Sequence, residues 1–281
     1  MAGTTSSPVG ELLREWRALR GQSQLDLALA AEVSSRHVSF LETGRSRPSR
    51  KMVLRLAEAL ELPLRERNAL LVAAGFAALY GESSLGDGEL APVRRALEIL
   101  LQRHEPYPAF VVDRTWNVLL ANAAHRWLLS RLLPQLDPAE PVNVMQLVLD
   151  PGLLRPRIRN WSEVAHVLGH RIRRQLRLPE PNAEARTRLE SFLKQPGVHD
   201  AMAKVRTSPQ SEVVLPLILE VDGEALSWFS TIATIGTPRD VTLEELSIES
   251  LFPADENTRR WVDAQLPQET SIRSAREETA T

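Results

Sequence analysis

The feature that most constrains this chain is a series of short amphipathic segments, each bounded by helix-capping residues, in its first 75 residues. Val9–Arg20 repeats apolar residues at the spacing of one helical face, and Gly21 follows it as a natural stop. Ser23 begins the next segment and has Asp26 three positions on, close to the arrangement of a capping box. Such closely spaced signals leave room only for short helices, so the sequence predicts a compact all-α domain. The five predicted helices cover residues 9–20, 23–31, 35–43, 49–60 and 63–75.

Only the turn Ala31-Glu32-Val33 separates the second and third of these helices, which is the layout of a helix-turn-helix. Ser34 caps the third helix, and Gly44 ends it because glycine adopts the positive φ of that position without strain. The second helix of such a pair enters the major groove of DNA, where its early residues face base edges. The pattern therefore predicts a DNA-binding domain.

A string of spaced residues runs through this region: Ser23-Gln24-x-x-Leu27-Ala28, Val33-Ser34 and Val38-Ser39-x-Leu41-Glu42-x-Gly44-Arg45-x-x-Pro48-Ser49. It resembles the Xre/Cro family of phage-repressor-type regulators over residues 9–75, and the resemblance implies sequence-specific binding of double-stranded DNA. One departure is Glu32, where that family usually has glycine. A non-glycine residue in the left-handed conformation costs roughly 1 kcal/mol, which a folded domain tolerates.

The resemblance implies DNA contacts for residues on and beside the third helix. Arg36 is expected to pair with guanine O6 and N7, a contact worth roughly 1–3 kcal/mol of discrimination. Phe40 is expected to touch a thymine methyl group or simply to pack, and Gln24 to meet a phosphate at the start of the second helix. Glu42 is expected to be structural, pairing with an arginine or capping backbone groups. The predicted DNA-binding set is Gln24, Ser34, Ser35, Arg36, Ser39, Phe40, Arg45, Arg47, Arg50 and Lys51.

The distribution of charge agrees with this prediction. The net charge is −2, but residues 1–80 hold 11 Lys and Arg against 8 Asp and Glu, and residues 14–51 hold 8 against 4. A locally basic face on a mildly acidic chain fits a DNA-binding head on a larger body. The four basic residues that end the predicted set suit backbone phosphates, although Arg50 and Lys51 are equally explained as ordinary surface charge.

Composition excludes several other classes of protein. The chain has no cysteine, which excludes disulfides, zinc fingers and thiolate catalysis. It has no run of 18 apolar residues that predicts a membrane span, and Met1–Gly10 lacks the basic start and apolar stretch of a signal peptide. A soluble cytoplasmic protein with no membrane partner is therefore expected.

The polar, glycine-rich stretch Gly81–Gly88 predicts a domain boundary. An amphipathic helix follows at about Leu90–His104 and is expected either to bridge two domains or to form a dimer seam. The predicted organisation is a DNA-binding domain at 1–80, a linker and connecting helix at 81–105, a second domain at 106–266 and a disordered tail at 267–281.

The second domain mixes strands and helices in the order β-β-α-α-α-β-β-β. Strands are predicted at 109–112, 116–121, 212–221, 225–235 and 241–250, and helices at 122–129, 143–149, 161–176, 181–193 and 255–265. Asp222-Gly223 is a strong hairpin signal between two of the strands. The order resembles a PAS-like α+β fold, an antiparallel sheet of about five strands with helices over one face.

Further motifs extend along the chain: Arg36 to Ser49, Arg65-Glu66-Arg67-Asn68, Val112-Asp113-Arg114-x-Trp116-Asn117 and Arg155-Pro156-Arg157-Ile158-x-Asn160-Trp161. Together they are similar to the MmyB-like regulators over nearly the whole length. This resemblance implies an Xre-type head joined to a PAS-like ligand-binding domain. It also implies a small apolar ligand, such as a fatty acid, and no required cofactor.

In a PAS-like fold the ligand pocket lies between the sheet and its helices. Each predicted lining residue is alternatively plain core, and Arg157, Asn160 and His170 are candidates to meet a carboxylate head group. The predicted ligand-binding set is Phe110, Val112, Trp116, Leu119, Trp127, Arg157, Trp161, Val164, Leu168 and Trp228.

The sequence offers little support for an enzyme or a metal site. It has no phosphate-cradling glycine loop and no Gly-x-Ser-x-Gly elbow. His166 and His170 have the spacing of a metal-binding pair but lack a third ligand at a known spacing. The first hypothesis is a homodimeric, ligand-responsive transcriptional regulator. The alternatives are a second domain that serves only dimerisation or protein interaction, and an enzyme joined to a DNA-binding head.

Overall fold

A computed structural model describes residues 7–137, 140–178, 182–204 and 214–265. The chain divides into two compact units. Unit 1 consists of Met1–Ser84 together with Gly236–Glu244, and unit 2 of Leu85–Ile235 together with Glu245–Thr281. The domain boundaries drawn from the sequence stay predictions, and they did not include the return of residues 236–244 to the first unit.

Unit 1 begins with a bundle of short helices, as the capping pattern predicts. Its helices are α1 (Pro8–Leu19), α2 (Gln24–Ala30), α3 (Ser35–Glu42), α4 (Arg50–Ala59) and α5 (Leu64–Ala73). Each of α1 to α4 has a serine N-cap whose hydroxyl oxygen accepts a backbone N–H of the first turn. The Ser23–Asp26 capping box is complete. Glu32 has φ +50° and Gly44 has φ +71°, so both turns have the predicted left-handed geometry.

The helix α5 is capped in a different way. Its N-cap is Pro63, which makes no side-chain cap hydrogen bond. The backbone N–H of Leu64 instead donates to the Oε2 atom of Glu244, at 2.6 Å, from the segment 236–244, called here the returning segment. The returning segment is also held by the backbone N–H of Val241, which donates to the Gly81 carbonyl at 2.8 Å. It therefore supplies a part of unit 1 that residues 1–84 lack.

One buried carboxylate joins the first three helices. Glu42 is 1% exposed and accepts from Arg17 Nε at 2.7 Å, Arg17 Nη2 at 3.0 Å and Gln24 Nε2 at 2.8 Å. Arg14 Nη2 donates to the Glu42 carbonyl at 3.0 Å. The predicted structural role of Glu42, pairing with an arginine, is confirmed. Gly10 lets α1 approach this point, since a Cβ atom there would lie 2.6 Å from the carbonyl oxygen of Leu41.

Unit 2 combines helices with one antiparallel sheet. After Ser84 the described chain forms α6 (Ala91–Arg103), β1 (Ala109–Val112), β2 (Val118–Ala121), α7 (Ala123–Leu132), α8 (Val144–Leu149), α9 (Trp161–Leu176), α10 (Ala183–Leu193), α11 (Val198–Lys204), β3 (Leu217–Val221), β4 (Glu224–Thr234), α12 (Val241–Glu245, which belongs to unit 1 except for its last residue), β5 (Ser247–Pro253) and α13 (Glu256–Gln265). The strand order is β2-β1-β5-β4-β3, with every neighbouring pair antiparallel. The predicted α+β domain with a five-stranded antiparallel sheet is confirmed.

The structure corrects the predicted strand Val241–Ser250. Residues Val241–Glu245 form α12, and the strand β5 starts only at Ser247. The reason is local: the side chain of Asp240 accepts the backbone N–H of Thr242 at 2.9 Å, which starts a helix despite the β-branched residues that follow. The short helix α11 was not predicted.

Other predicted boundaries shift or fall outside the described residues. The strand predicted over Glu212–Val221 begins at Leu217, and residues 212 and 213 lie outside the described part. The predicted start of a helix at Pro181 and the predicted disordered tail from Pro267 also lie outside it.

We predict that Glu42→Gln destabilises unit 1. The substitution leaves the guanidinium of Arg17 without its carboxylate. The expected loss in free energy of unfolding is about 2 kcal/mol, below the roughly 3–5 kcal/mol of a fully buried pair because Arg17 keeps some contact with water. Chemical denaturation of the full chain measures it. Glu58→Gln, an exposed carboxylate on α4, is the control. Equal stability of the two variants would contradict the assigned role.

The same network predicts the pH dependence of that difference. Burial alone raises the pKa of Glu42, but hydrogen bonds from Arg17 and Gln24 and the charges of Arg17 and Arg14 outweigh it. The folded pKa therefore lies below the ordinary value of 4.5. The contribution of the carboxylate is fully present above pH 4.5 and is lost as pH falls through the folded pKa. The stability gap between the parent chain and Glu42→Gln should shrink accordingly on acidification.

Candidate DNA interface and ligand cavity

The helix α3 presents one buried face and one open face. Val38 and Leu41 are fully buried in the core of unit 1, whereas Ser35 and Arg36 are exposed. The hydroxyl of Ser34 accepts the backbone N–H of His37 at 3.1 Å and fixes the start of the helix. The residues predicted to read bases therefore lie on the side of α3 that is open to a partner.

Phe40 lies between two arginine side chains. The guanidinium carbon of Arg36 lies 5.1 Å from the centroid of the Phe40 ring, and that of Arg45 lies 5.8 Å from it. A contact of this kind positions the arginine side chain without neutralising its charge, and the guanidinium keeps its hydrogen-bond donors free for a partner. Of the two roles predicted for Phe40, the structure shows the packing contact, and the thymine contact stays a prediction.

The basic residues of the predicted DNA-binding set share one property. Arg36, Arg45, Arg47, Arg50 and Lys51 are all exposed, and within the described ranges none forms an ion pair with a carboxylate. Other arginines of unit 1 are neutralised, for example Arg17 by Glu42 and Arg55 by Glu32. The uncompensated cations thus follow one another over 16 positions, from residue 36 to residue 51, which suits a polyanionic partner.

Gln24 is placed differently from an exposed phosphate contact. It is half-buried at the first position of α2, and one N–H of its amide donates to Glu42. An amide nitrogen carries two N–H donors, so one remains for a phosphate. The predicted contact stays a prediction, and Gln24 has in addition a structural role that the sequence did not reveal.

Unit 2 encloses a cavity of about 330 Å³ between the sheet and its helices. This volume falls in the range of small-molecule sites, about 300–1,000 Å³. Most of its lining is aliphatic or aromatic. The lining residues are Phe110, Trp116, His125, Leu128, Leu129, Leu132, Val144, Met145, Leu147, Val148, Leu154, Val164, Val167, Leu168, Arg171, Val214, Leu215, Pro216, Leu217, Leu219, Trp228, Ser230, Glu249 and Leu251.

Trp116 reaches the cavity from a strained turn. Its φ is +70°, a conformation that bulky residues rarely adopt. The side chain of Asp113 holds the turn by accepting the backbone N–H groups of Thr115 at 2.7 Å and Asn117 at 3.0 Å. Non-glycine residues in this region cost about 1–3 kcal/mol and cluster at functional sites. Part of the motif that carries the family resemblance therefore places a tryptophan against the cavity.

The predicted ligand-binding residues divide evenly. Phe110, Trp116, Val164, Leu168 and Trp228 line the cavity, whereas Val112, Leu119, Trp127, Arg157 and Trp161 do not. Whether the first five contact a ligand stays a prediction. The second five are corrected in position, each for a reason visible in its surroundings.

Two of these five belong to the sheet. Val112 is buried after an irregularity in the pairing of β1 with β2, and Leu119 is 40% exposed on the edge strand β2. Arg157 is exposed in a 3-10 turn away from the cavity. The other two residues predicted to meet a carboxylate head group, Asn160 and His170, do not line the cavity either.

The two tryptophans are engaged elsewhere. Trp127 packs on Trp261 with ring centroids 5.6 Å apart. Trp161 donates its Nε1–H to the Val148 carbonyl at 2.9 Å, and Arg155 stacks on its ring at 3.6 Å. The motif Arg155 to Trp161 is therefore structural, and Asn160 in it holds β3 by accepting the backbone N–H of Ile218 at 3.0 Å.

Four polar lining residues were missed by the sequence-based prediction: His125, Arg171, Ser230 and Glu249. Arg171 lies in an arginine-rich stretch, and charged side chains of this kind are usually solvated. The missed signal is periodicity, because Arg171 continues the helical stripe of Val164 and Leu168. Glu249 lies two positions before Leu251, and Ser230 lies two positions after Trp228. Because every second residue of a strand points to the same face, each polar residue shares the face of an apolar one.

No group of three or more His, Asp or Glu residues that could hold a metal ion occurs within the described ranges. No helix there has the length and apolar character needed to cross a bilayer.

Residues 93–264 match the family model of the MmyB-like transcription regulator ligand binding domain, and residues 13–67 match a helix-turn-helix family model. Among solved structures, the chain is similar to the restriction-modification controller protein C.AhdI from Aeromonas hydrophila. The two share 34% identity over 22% of this chain and 92% of that chain, with a TM-score of 0.21. No curated protein matches the chain.

The expected arrangement of a helix-turn-helix head before a ligand-binding domain is thus confirmed. The match to the ligand-binding domain alone spans more than half of the 281 residues. The chain belongs to the family of MmyB-like transcription regulators.

Proposed function

We propose that this regulator binds specific DNA sequences through α3 and that a small apolar ligand in the cavity of unit 2 controls this binding. The observation that carries the proposal is the cavity of about 330 Å³, lined mainly by apolar side chains, within the residues that match a ligand-binding domain. A ligand with a fatty-acyl-like chain suits such a lining, because burying each methylene group contributes about 0.8 kcal/mol. The residues proposed to contact it are the five predicted ones at the cavity together with Arg171 and Glu249.

The returning segment offers a route from ligand to DNA-binding unit. It connects β4 to β5, and both strands contribute cavity residues, Trp228 and Ser230 from β4 and Glu249 and Leu251 from β5. Its own residues belong to unit 1, where Glu244 caps α5. A ligand shifts an equilibrium only by its difference in affinity for two states, and a displacement of β4 or β5 would reach unit 1 through this covalent link.

The regulator is proposed to act as a homodimer. Regulators with this helix pair bind two half-sites about 34–36 Å apart, one turn of DNA, with one recognition helix in each major groove. Analytical ultracentrifugation of the full chain tests this part of the proposal. A monomer both free and on DNA would overturn it.

We predict that Arg36→Ala and Lys51→Ala have different effects on DNA binding. Arg36→Ala should relax the preference at one base pair and weaken the selected site by about 1–3 kcal/mol. Lys51→Ala should weaken all sequences similarly and reduce the salt dependence by about one phosphate contact. Sites selected from random duplexes, followed by fluorescence anisotropy at several salt concentrations, give both quantities. Unchanged selectivity of Arg36→Ala would show that α3 is not the reading helix.

Filling the cavity should abolish ligand retention. Leu168→Trp places a larger side chain in the cavity wall, and we expect retained apolar molecules to fall at least about tenfold, as measured by native mass spectrometry and solvent extraction. Leu119→Trp, at a partly exposed site away from the cavity, is the control. If the parent chain retains no small molecule and takes up no alkyl probe, the sensor is refuted and a pure interaction module is favoured.

Removing the carboxylate of Glu244 should uncouple the two functions. In Glu244→Ala we expect the ratio of DNA affinities with and without ligand to approach one, while ligand retention stays unchanged. Glu224→Ala, an exposed carboxylate on β4, is the control. Thermal unfolding of both variants checks that unit 1 stays folded. A ratio equal to that of the parent chain would remove the returning segment from the mechanism.

A further inference from the structure

The second half of α9 carries an exposed row of arginines. Arg173, Arg174 and Arg177 are all exposed, and spacings of three and four positions put Arg177 on the same side of the helix as the other two. The buried residues Ala165 and Ile172 lie on a different face. These three residues, called here the arginine row, therefore point away from the core of unit 2.

The charge of the arginine row is not compensated by carboxylates. Residues 164–179 contain no Asp or Glu. The acidic residue of α9, Glu163, lies in its first turn, about 15 Å along the helix axis from Arg173. Across the described residues the three arginine side chains form neither an ion pair nor a hydrogen bond. Like charges at these spacings repel each other, so the row is favoured by a partner of opposite charge.

Other helices of unit 2 treat their arginines differently. On α6 Arg94 pairs with Glu98, and on α10 Arg186 pairs with Glu190, in both cases one helical turn apart. On α13 one glutamate serves two arginines. The sequence thus supplies carboxylates beside the arginines of three helices and omits them from the second half of α9.

We infer that the arginine row binds the phosphate backbone of DNA beside the sequence that α3 reads. The inference goes beyond the proposed function and rests on it for the recruitment of DNA. Guanidinium groups fit phosphate oxygens with two parallel hydrogen bonds, and three unpaired ones suit a partner with regularly repeated anions. DNA is the partner of this chemistry that unit 1 already brings to the chain.

The dimensions and charge of unit 2 agree with a local contact. From Arg173 to Arg177 the row rises about 6 Å along the helix axis, and one DNA strand presents a phosphate about every 3.4 Å, so two or three phosphates lie within reach. The chain after residue 80 holds 23 Lys and Arg against 28 Asp and Glu, so attraction to DNA must come from a cluster. Because unit 2 is covalently joined to the DNA-binding unit, even a weak contact contributes to affinity.

Two duplexes and the full chain test the inference. One duplex ends at the borders of the site selected by the protein, and the other carries about two further helical turns of unrelated sequence at each end. We expect the parent chain to bind the extended duplex roughly fivefold or more tightly than the short one, with a gain that shrinks as salt rises. The triple variant Arg173→Gln/Arg174→Gln/Arg177→Gln should lose this gain and bind the short duplex as the parent does.

The salt dependence counts the contacts. On the extended duplex, the slope of log affinity against log salt should flatten by about 2–3 in the arginine-row variant, because each phosphate contact contributes about 0.9. The control variant Arg94→Gln/Arg259→Gln/Arg260→Gln removes the same charge from exposed arginines that have carboxylate partners, and it should keep both the gain and the slope. Thermal unfolding of both variants checks that unit 2 stays folded.

The outcomes separate this inference from the function on which it rests. An unchanged gain in the arginine-row variant overturns the inference, and a lowered unfolding temperature in that case assigns the row to stabilisation of the helix end. Equal losses in both triple variants assign the effect to net charge and overturn it as well. Row-dependent binding to phosphatidylglycerol vesicles, without a gain from the longer duplex, replaces DNA by a membrane surface. If the parent chain binds neither duplex, the proposed DNA-binding function fails too.

Discussion

The position of the recognition helix depends on the buried carboxylate of Glu42. This residue ends α3, and its ion pair with Arg17 and its hydrogen bond with Gln24 bring α1 and α2 to the same point. A charge removed from water is stable only when its partners satisfy it fully, so small rotations of α3 against the other helices are penalised. The outward residues of α3 thus gain a fixed direction from a buried residue at the end of the same helix.

One face of α3 is fixed by buried contacts, whereas the other face carries exposed, positively charged side chains. Arg36 and Arg45 both lie within contact distance of the Phe40 ring, which limits the conformations that these two side chains can adopt. The cations beyond the helix have no carboxylate partners within the described residues. In unit 2, four polar side chains line the cavity, and Trp116, with φ +70°, reaches the same cavity from a turn.

Local signals predicted most of the fold. The serine caps predicted at Ser23 and Ser34 start α2 and α3, and Asp222-Gly223 turns the β3–β4 hairpin with φ of +51° and +85°, as its dipeptide predicts. Prediction failed where two local signals compete. The β-branched residues after Asp240 indicated a strand, but the side chain of Asp240 caps a helix and residues Val241–Glu245 form α12. The positive φ of Trp116 was not predicted, although the side chain of Asp113, three residues earlier, holds that turn by accepting two backbone N–H groups.

The candidate sites were harder to predict than the fold. The exposed residues of α3 follow from helix geometry alone, but the cavity depends on which faces of seven helices and strands converge. Aromatic residues were over-assigned to it, since Trp127 and Trp161 find partners in the surrounding core. Arg171 was under-assigned, because a charged side chain in an arginine-rich helix is usually solvated.

The cap that Glu244 provides to α5 has a consequence for how this protein is made. During synthesis, residues 1–84 leave the ribosome well before residue 244 does, so the DNA-binding unit is assembled without its final segment until most of the sheet has been translated. A newly made unit 1 is therefore incomplete until β4 and the returning segment after it have been made. Recombination that joins such a head to a foreign body would lose that cap, which ties the two parts together in evolution as well as in folding.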